Sequence, residues 1–245
     1  MPVGETECVS GVICVPEQMR AGKRTGVILA HGAGNDMEHP LIVLLSTGLC
    51  QAGYAALRFN FPYREKGRKA PDTQDTLVLT WQSVYQFLKE HCEHGTDRIV
   101  AAGKSMGGRV ASQMVADGLL PASRLVFLGY PLHSPGRKEK MRDAHLYRIQ
   151  IPMLFFAGTR DRLCDITRLK GVLGRLKAPW HLETVQGGDH SLHVLKSAGM
   201  PQQEVYQRIL NKTVEWLRSA KEQDAGGGDG GPSPKPFGSL RSPGV

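Results

Sequence analysis

The sequence predicts an α/β fold in which a mostly parallel central sheet is covered by helices on both faces. Three observations carry that expectation. Apolar, β-branched runs of five or six residues alternate with amphipathic stretches from residue 9 to residue 217. That order demands crossover connections, and crossovers pair strands in parallel. The chain, 245 residues with 40% hydrophobic and 22% charged side chains, is long enough to bury one sizeable core.

The elements follow in order. Val9–Val15 reads as an edge strand and Gly26–Ala30 as a short buried strand running into His-Gly-Ala-Gly. Glu38–Ala52 has helical periodicity through Leu41, Leu44, Leu45 and Leu49, with Asn35 and Asp36 as its expected cap. Tyr54–Phe59 is the next strand. Asp72–His91 is a long helix with Leu77, Trp81, Val84, Tyr85 and Leu88 on one face. Arg98–Ala102 is a strand, and Met106–Asp117 a helix ended by Gly118. Arg124–Leu128, Pro152–Ala157 and Trp180–Val185 complete the strands; Asp165–Leu176 and Gln202–Leu217 complete the helices. One domain over residues 1–224 is therefore expected. From 225 to 245, seven Gly, four Pro and three Ser signal a disordered tail.

Composition excludes several function classes. No run of 18 apolar residues spans a membrane, and the first residues lack the basic start and long apolar stretch of a secretory signal. Five scattered cysteines without a Cys-x-x-Cys pair point to reduced thiols and a cytoplasmic location. No Walker or Gly-x-Gly-x-x-Gly pattern supports a nucleotide, and no cofactor is expected. His91-Cys92-Glu93-His94 fits no zinc spacing and reads as the polar end of a helix, so no metal is expected.

Ligands in such sheets sit beyond the carboxyl ends of the strands, so the loops there carry the candidates. After the strand ending at Ala102 comes Gly103-Lys104-Ser105-Met106-Gly107, a Gly-x-Ser-x-Gly between a strand and a helix. In that setting the turn lifts Ser105 above the sheet and frees the Met106 N–H to hold an oxyanion. A serine hydroxyl needs a base held by an acid. Asp161 follows one strand and His190 another, which completes the order Ser, acid, His of α/β-hydrolases. Asp165 is the better helix cap, which leaves Asp161 for chemistry. His193 is the competitor to His190; the Gly-Gly-Asp turn before His190 favours the latter. The second oxyanion donor is assigned to Ala33 in His31-Gly32-Ala33-Gly34, with His31 structural. Lys104 is expected exposed or lining the cleft.

The segments GVILAHGAGNDMEHP, LRFNFPY, AAGKSMGGRVAS, YPLHSPGRKEKMRDAHL, FFAGTRD and GGDHSL carry a likeness. They resemble, within the α/β-hydrolase superfamily, the testis-expressed and NSL-complex-subunit-3-like hydrolases. The resemblance covers nearly the whole chain except its tail. It implies a Ser105–Asp161–His190 triad on a fold with little or no cap domain. A relative that serves as a complex subunit makes a non-catalytic scaffold the alternative function, with a protein partner in place of a substrate.

The net charge of +8 gathers in two stretches, Arg58–Lys69 and Arg137–Arg148, each with five Lys or Arg. Both follow strands that end at the candidate site. Arg58, Arg64 and Arg137 are the expected substrate contacts, favouring an anionic acyl substrate. Interleaved stacking aromatics are too few for a nucleic-acid surface. The expected activity is hydrolysis of an ester, thioester or similar acyl bond in a small substrate. No insertion of lid size interrupts the domain, so the site is expected to be open.

Overall fold

The computed structural model describes residues 1–19, 24–91, 96–195, 197 and 199–219. The tail predicted at 225–245, and Cys92–His94, lie outside the described residues. An antiparallel hairpin of β1 (Pro2–Val3) and β2 (Glu7–Cys8) opens the chain. The elements that follow are β3 (Gly11–Cys14), β4 (Thr25–Ala30), α1 (Pro40–Gln51), β5 (Ala55–Phe59), α2 (Pro62–Glu65) and α3 (Gln74–His91). Then come β6 (Arg98–Lys104), α4 (Met106–Ala116), β7 (Arg124–Leu128), β8 (Met153–Gly158), α5 (Ile166–Leu173), β9 (Trp180–Val185) and α6 (Gln202–Ser219).

Among the described residues, seven strands form one sheet in the order β3-β5-β4-β6-β7-β8-β9. Every neighbouring pair is parallel except β3 with β5, which lets the chain enter along the edge. The strand period of two sorts side chains between two apolar layers. Ile28, Ala101, Leu125, Phe127 and Phe155 join Trp81 and Val84 of α3, Val110 of α4 and Leu169 of α5. Val27, Leu29, Val100, Val126 and Phe156 join Leu41 and Leu45 of α1 and Ile209 of α6. Burial on both faces explains why these strands read as continuous apolar runs. No helix among the described residues is long and apolar enough to cross a membrane.

Three expectations are corrected. Helix α1 starts at Pro40, where the fixed φ suits the first helical position, and His39 caps it by accepting the Leu41 N–H at 3.3 Å. Asp36 instead accepts the Glu38 N–H at 3.0 Å, one turn earlier. Strand β6 runs on to Lys104, which is buried at 4% exposure, so of its two expected places, exposed or lining the cleft, the exposed one does not hold. It shares a face with Val100 and Ala102, under α1. Reduced thiols do not hold for Cys14 and Cys50, which form a disulfide with their Cα atoms 5.8 Å apart. The pairing of β3 with β5, and the return of α1 into β5, bring the two together. Of the described cysteines, Cys8 and Cys164 are free.

Candidate active site

Ser105 alone makes the turn between β6 and α4, at φ 49° and ψ −113°. A non-glycine residue in that region stores strain that its surroundings must hold in place. The neighbours do so by lacking side chains. A Cβ on Gly103 would lie 2.6 Å from the Gly107 carbonyl carbon, and one on Gly107 would lie 2.6 Å from the His31 oxygen. The elbow therefore closes backbone against backbone. Met106, as the first residue of α4, has no intrahelical acceptor for its N–H.

The loops after β8 and β9 converge on Ser105. His190 Nε2 lies 2.8 Å from Ser105 Oγ, and His190 Nδ1 lies 2.8 Å from Asp161 Oδ2. The Asp161 side chain is fully buried, and its Oδ1 accepts the Leu163 N–H at 2.7 Å. With both carboxylate oxygens engaged, the carboxylate is fixed in orientation as well as place. Asp189 shapes the histidine loop by accepting the N–H groups of Ser191 at 2.8 Å and His193 at 3.0 Å. The structure thus brings His190, not the exposed His193, to the serine. The loops are close enough that a Cβ on Gly158 would fall 2.5 Å from the Asp189 oxygen.

The His-Gly-Ala-Gly loop lies on the other side of the serine. A Cβ on Gly32 would be 3.3 Å from Ser105 Cβ, and the Asn35 N–H closes a turn onto the Gly32 oxygen at 3.2 Å. Ala33 is exposed in that turn. His31 is buried beneath it. Its Nδ1 meets the Gly32 oxygen at 2.9 Å, and its Nε2 accepts the Phe61 N–H at 3.2 Å. These roles require the neutral ring protonated at Nδ1. Burial pushes its pKa down to about 4, with Asp36 opposing and Arg64 and His39 adding to the fall.

The basic stretches are more balanced than their count of cations implies. Arg58 is ion-paired to Glu38, and Arg64 to Asp36 at 3.2 Å. Lys66 pairs with Glu7, Arg68 with Asp72, Lys138 with Asp165 and Arg148 with Asp117. Except for Asp72, four residues from Arg68, the acids lie far along the chain, so local charge counting could not see them. Arg137 is exposed in a turn onto Ser134. Burial lowers the Lys104 pKa, against the opposing pull of Asp189 and Asp161. A cavity of about 510 Å³ lies apart from the serine, between β9 and α6, lined by Phe156, Val185, Val205 and Ile209.

An alpha/beta hydrolase domain model matches residues 23–218, the span that holds the sheet, the elbow and both converging loops. The chain belongs to the alpha/beta hydrolase family. Solved structures of low identity share the fold of this hydrolase-family chain. An esterase from Thermogutta terrifontis, Est2, is 18% identical, with 90% of this chain and 92% of that one covered at a TM-score of 0.69. A dienelactone hydrolase from Anabaena variabilis is 19% identical, covering 89% and 94%, at 0.66. XC6422 from Xanthomonas campestris, described as a serine hydrolase without lid, is 21% identical, covering 82% and 88%, at 0.59.

Two features of this alpha/beta hydrolase site escaped the sequence reading. Asp189, part of the Gly-Gly-Asp turn in the sequence, also folds the loop around His190 by accepting two of its N–H groups. Gly129, at φ 75°, lets the His190 carbonyl approach the end of β7. A glycine directly after a strand was the available signal.

Proposed function

We propose that the chain is a serine hydrolase that cleaves an ester, thioester or similar acyl bond through an acyl-enzyme. The observation that supports this reading is the continuous line of hydrogen-bond contacts Ser105–His190–Asp161, each 2.8 Å long. His190 Nε2 takes the Ser105 proton as Oγ attacks the acyl carbonyl, then returns it to the leaving group. Asp161 holds Nδ1–H toward itself, which keeps Nε2 free as the base. The Met106 and Ala33 N–H groups receive the oxyanion, each worth about 3 kcal/mol in the transition state. Water then repeats the sequence to release the acid.

The longest excursion beside the site, between β7 and β8, carries only a 3₁₀ turn at Leu146–Arg148 and no helical cap. An open site of this kind favours small soluble acyl substrates. Charge preference rests on the exposed Arg137, since Arg58 and Arg64 face their own acids. Kinship with the testis-expressed and NSL-complex-subunit-3-like hydrolases rests on Tyr130–Gly136, YPLHSPG.

The test is labelling with a fluorophosphonate probe alongside turnover of p-nitrophenyl acetate. The wild type is expected to label and turn over; Ser105→Ala is expected to do neither while keeping its melting temperature. An unlabelled wild type, or a Ser105→Ala variant with full activity, rejects the assignment.

A further inference from the structure

His133 is wholly buried in the middle of the YPLHSPG segment, and both of its ring nitrogens are engaged. Nδ1 lies 3.1 Å from the Ser134 oxygen, and Nε2 accepts the Asp165 N–H at 3.0 Å. Because Nε2 must accept, the ring is the neutral form that donates from Nδ1. The backbone of the same residue donates its N–H to the Leu163 oxygen at 3.0 Å. One residue thus grips the main chain on either side of Cys164. Leu163 is the residue whose own N–H fixes Asp161 Oδ1 at 2.7 Å. Asp161 Oδ2 is then aimed at His190.

We infer that His133 is a positioning residue: it clamps Leu163–Asp165 so that the Leu163 N–H sets the Asp161 carboxylate against His190. This rests on the proposed triad and assigns a role to a residue outside it. A hydrophobic side chain of equal bulk would fill the space but leave the part-buried Asp165 N–H without this acceptor. The loop would then shift to satisfy that group, carrying Leu163 with it. Misplacement by about 1 Å in a catalytic constellation costs on the order of 100-fold in rate.

The clamp predicts a pattern that general destabilisation does not. His133→Leu and His133→Asn both lack an acceptor at the Nε2 position, whereas His133→Gln retains one. With p-nitrophenyl acetate, Leu and Asn are expected to lower kcat about 10–100-fold with KM within about twofold. Gln is expected to stay within about threefold of wild type. Fluorophosphonate labelling rates should follow the same ranking. The deciding step repeats His133→Leu and His133→Asn in an Asp161→Asn background. If His133 acts through Asp161, each then costs less than about twofold more. Full additivity of the losses, or no rescue by Gln, overturns the clamp while leaving the triad standing. An Asp161→Asn variant at wild-type rate overturns the triad and the clamp together.

Discussion

Ser105 sits in backbone space that L-residues avoid, and the glycines beside it show what such a placement requires. Gly103→Ala is expected to be severely destabilising, because its Cβ meets main-chain atoms of Gly107 and Gly108 that cannot rotate away. A loss above about 3 kcal/mol in urea unfolding, or no soluble protein, is the expected result; a loss under about 1 kcal/mol would mean the elbow can open. Gly171 is the counterexample. It lies within α5, and a Cβ there meets nothing within 4 Å. Gly171→Ala should raise stability by about 0.5–1 kcal/mol through helix propensity alone, and a fall would contradict that placement. At this scale the three residues that the fold brings into hydrogen-bond contact, Ser105, Asp161 and His190, were legible in the sequence, because each follows the end of a strand. The charge state of the rim was not. Arg58 and Arg64 are neutralised by Glu38 and Asp36, 20 and 28 positions away, and only the folded chain brings those pairs together.

Between elements, α1 and α6 approach so closely that Gly48 faces Leu210 with no space for a methyl group. A Cβ at Gly48 would overlap Leu210 Cδ2 and lie 2.9 Å from Cδ1. Gly48→Ala must displace the end of the Leu210 side chain but gains about 1 kcal/mol of helix propensity, so it should cost no more than about 2 kcal/mol, and Leu210→Ala about 2–4 kcal/mol. The double variant should cost less than the sum by at least about 0.5 kcal/mol, since the added methyl enters the space Leu210 leaves. Strict additivity in urea unfolding would mean the helices separate instead of repacking. Long periodic elements such as α3, and strands buried on both faces, were readable from their apolar spacing. Helix α2, four residues beginning at Pro62, carries too little periodicity to be seen. The β1–β2 hairpin is likewise too short to show an alternating pattern. The start of α1 was misplaced because a histidine took the capping role that Asn35 or Asp36 was expected to fill.

For the molecule as a whole, neutral histidines, one buried and two half-buried, set a limit on the acid side. Burial lowers the pKa values of His31, His39 and His145 to about 4. Each is charged in the unfolded chain below about pH 6.5 but stays neutral in the folded one. Stability from these groups is complete above about pH 6.5 and is lost as pH falls toward 4. For the fully buried His31 alone the whole shift corresponds to about 3 kcal/mol. The urea midpoint should accordingly fall between pH 7.5 and pH 5, a window in which carboxylates scarcely titrate. A midpoint that holds or rises across that window would contradict the burial of these rings.

The Cys14–Cys50 bond gives the chain a different kind of continuity. It closes a covalent ring that contains β4, the His-Gly-Ala-Gly turn and nearly all of α1. The turn beside Ser105 thus belongs to a closed loop. A single cut by a protease within that ring opens it without releasing a fragment, and the severed ends stay tethered through sulfur. The segment bearing Ala33 remains part of the same molecule after such a nick, and is free to settle back against the serine.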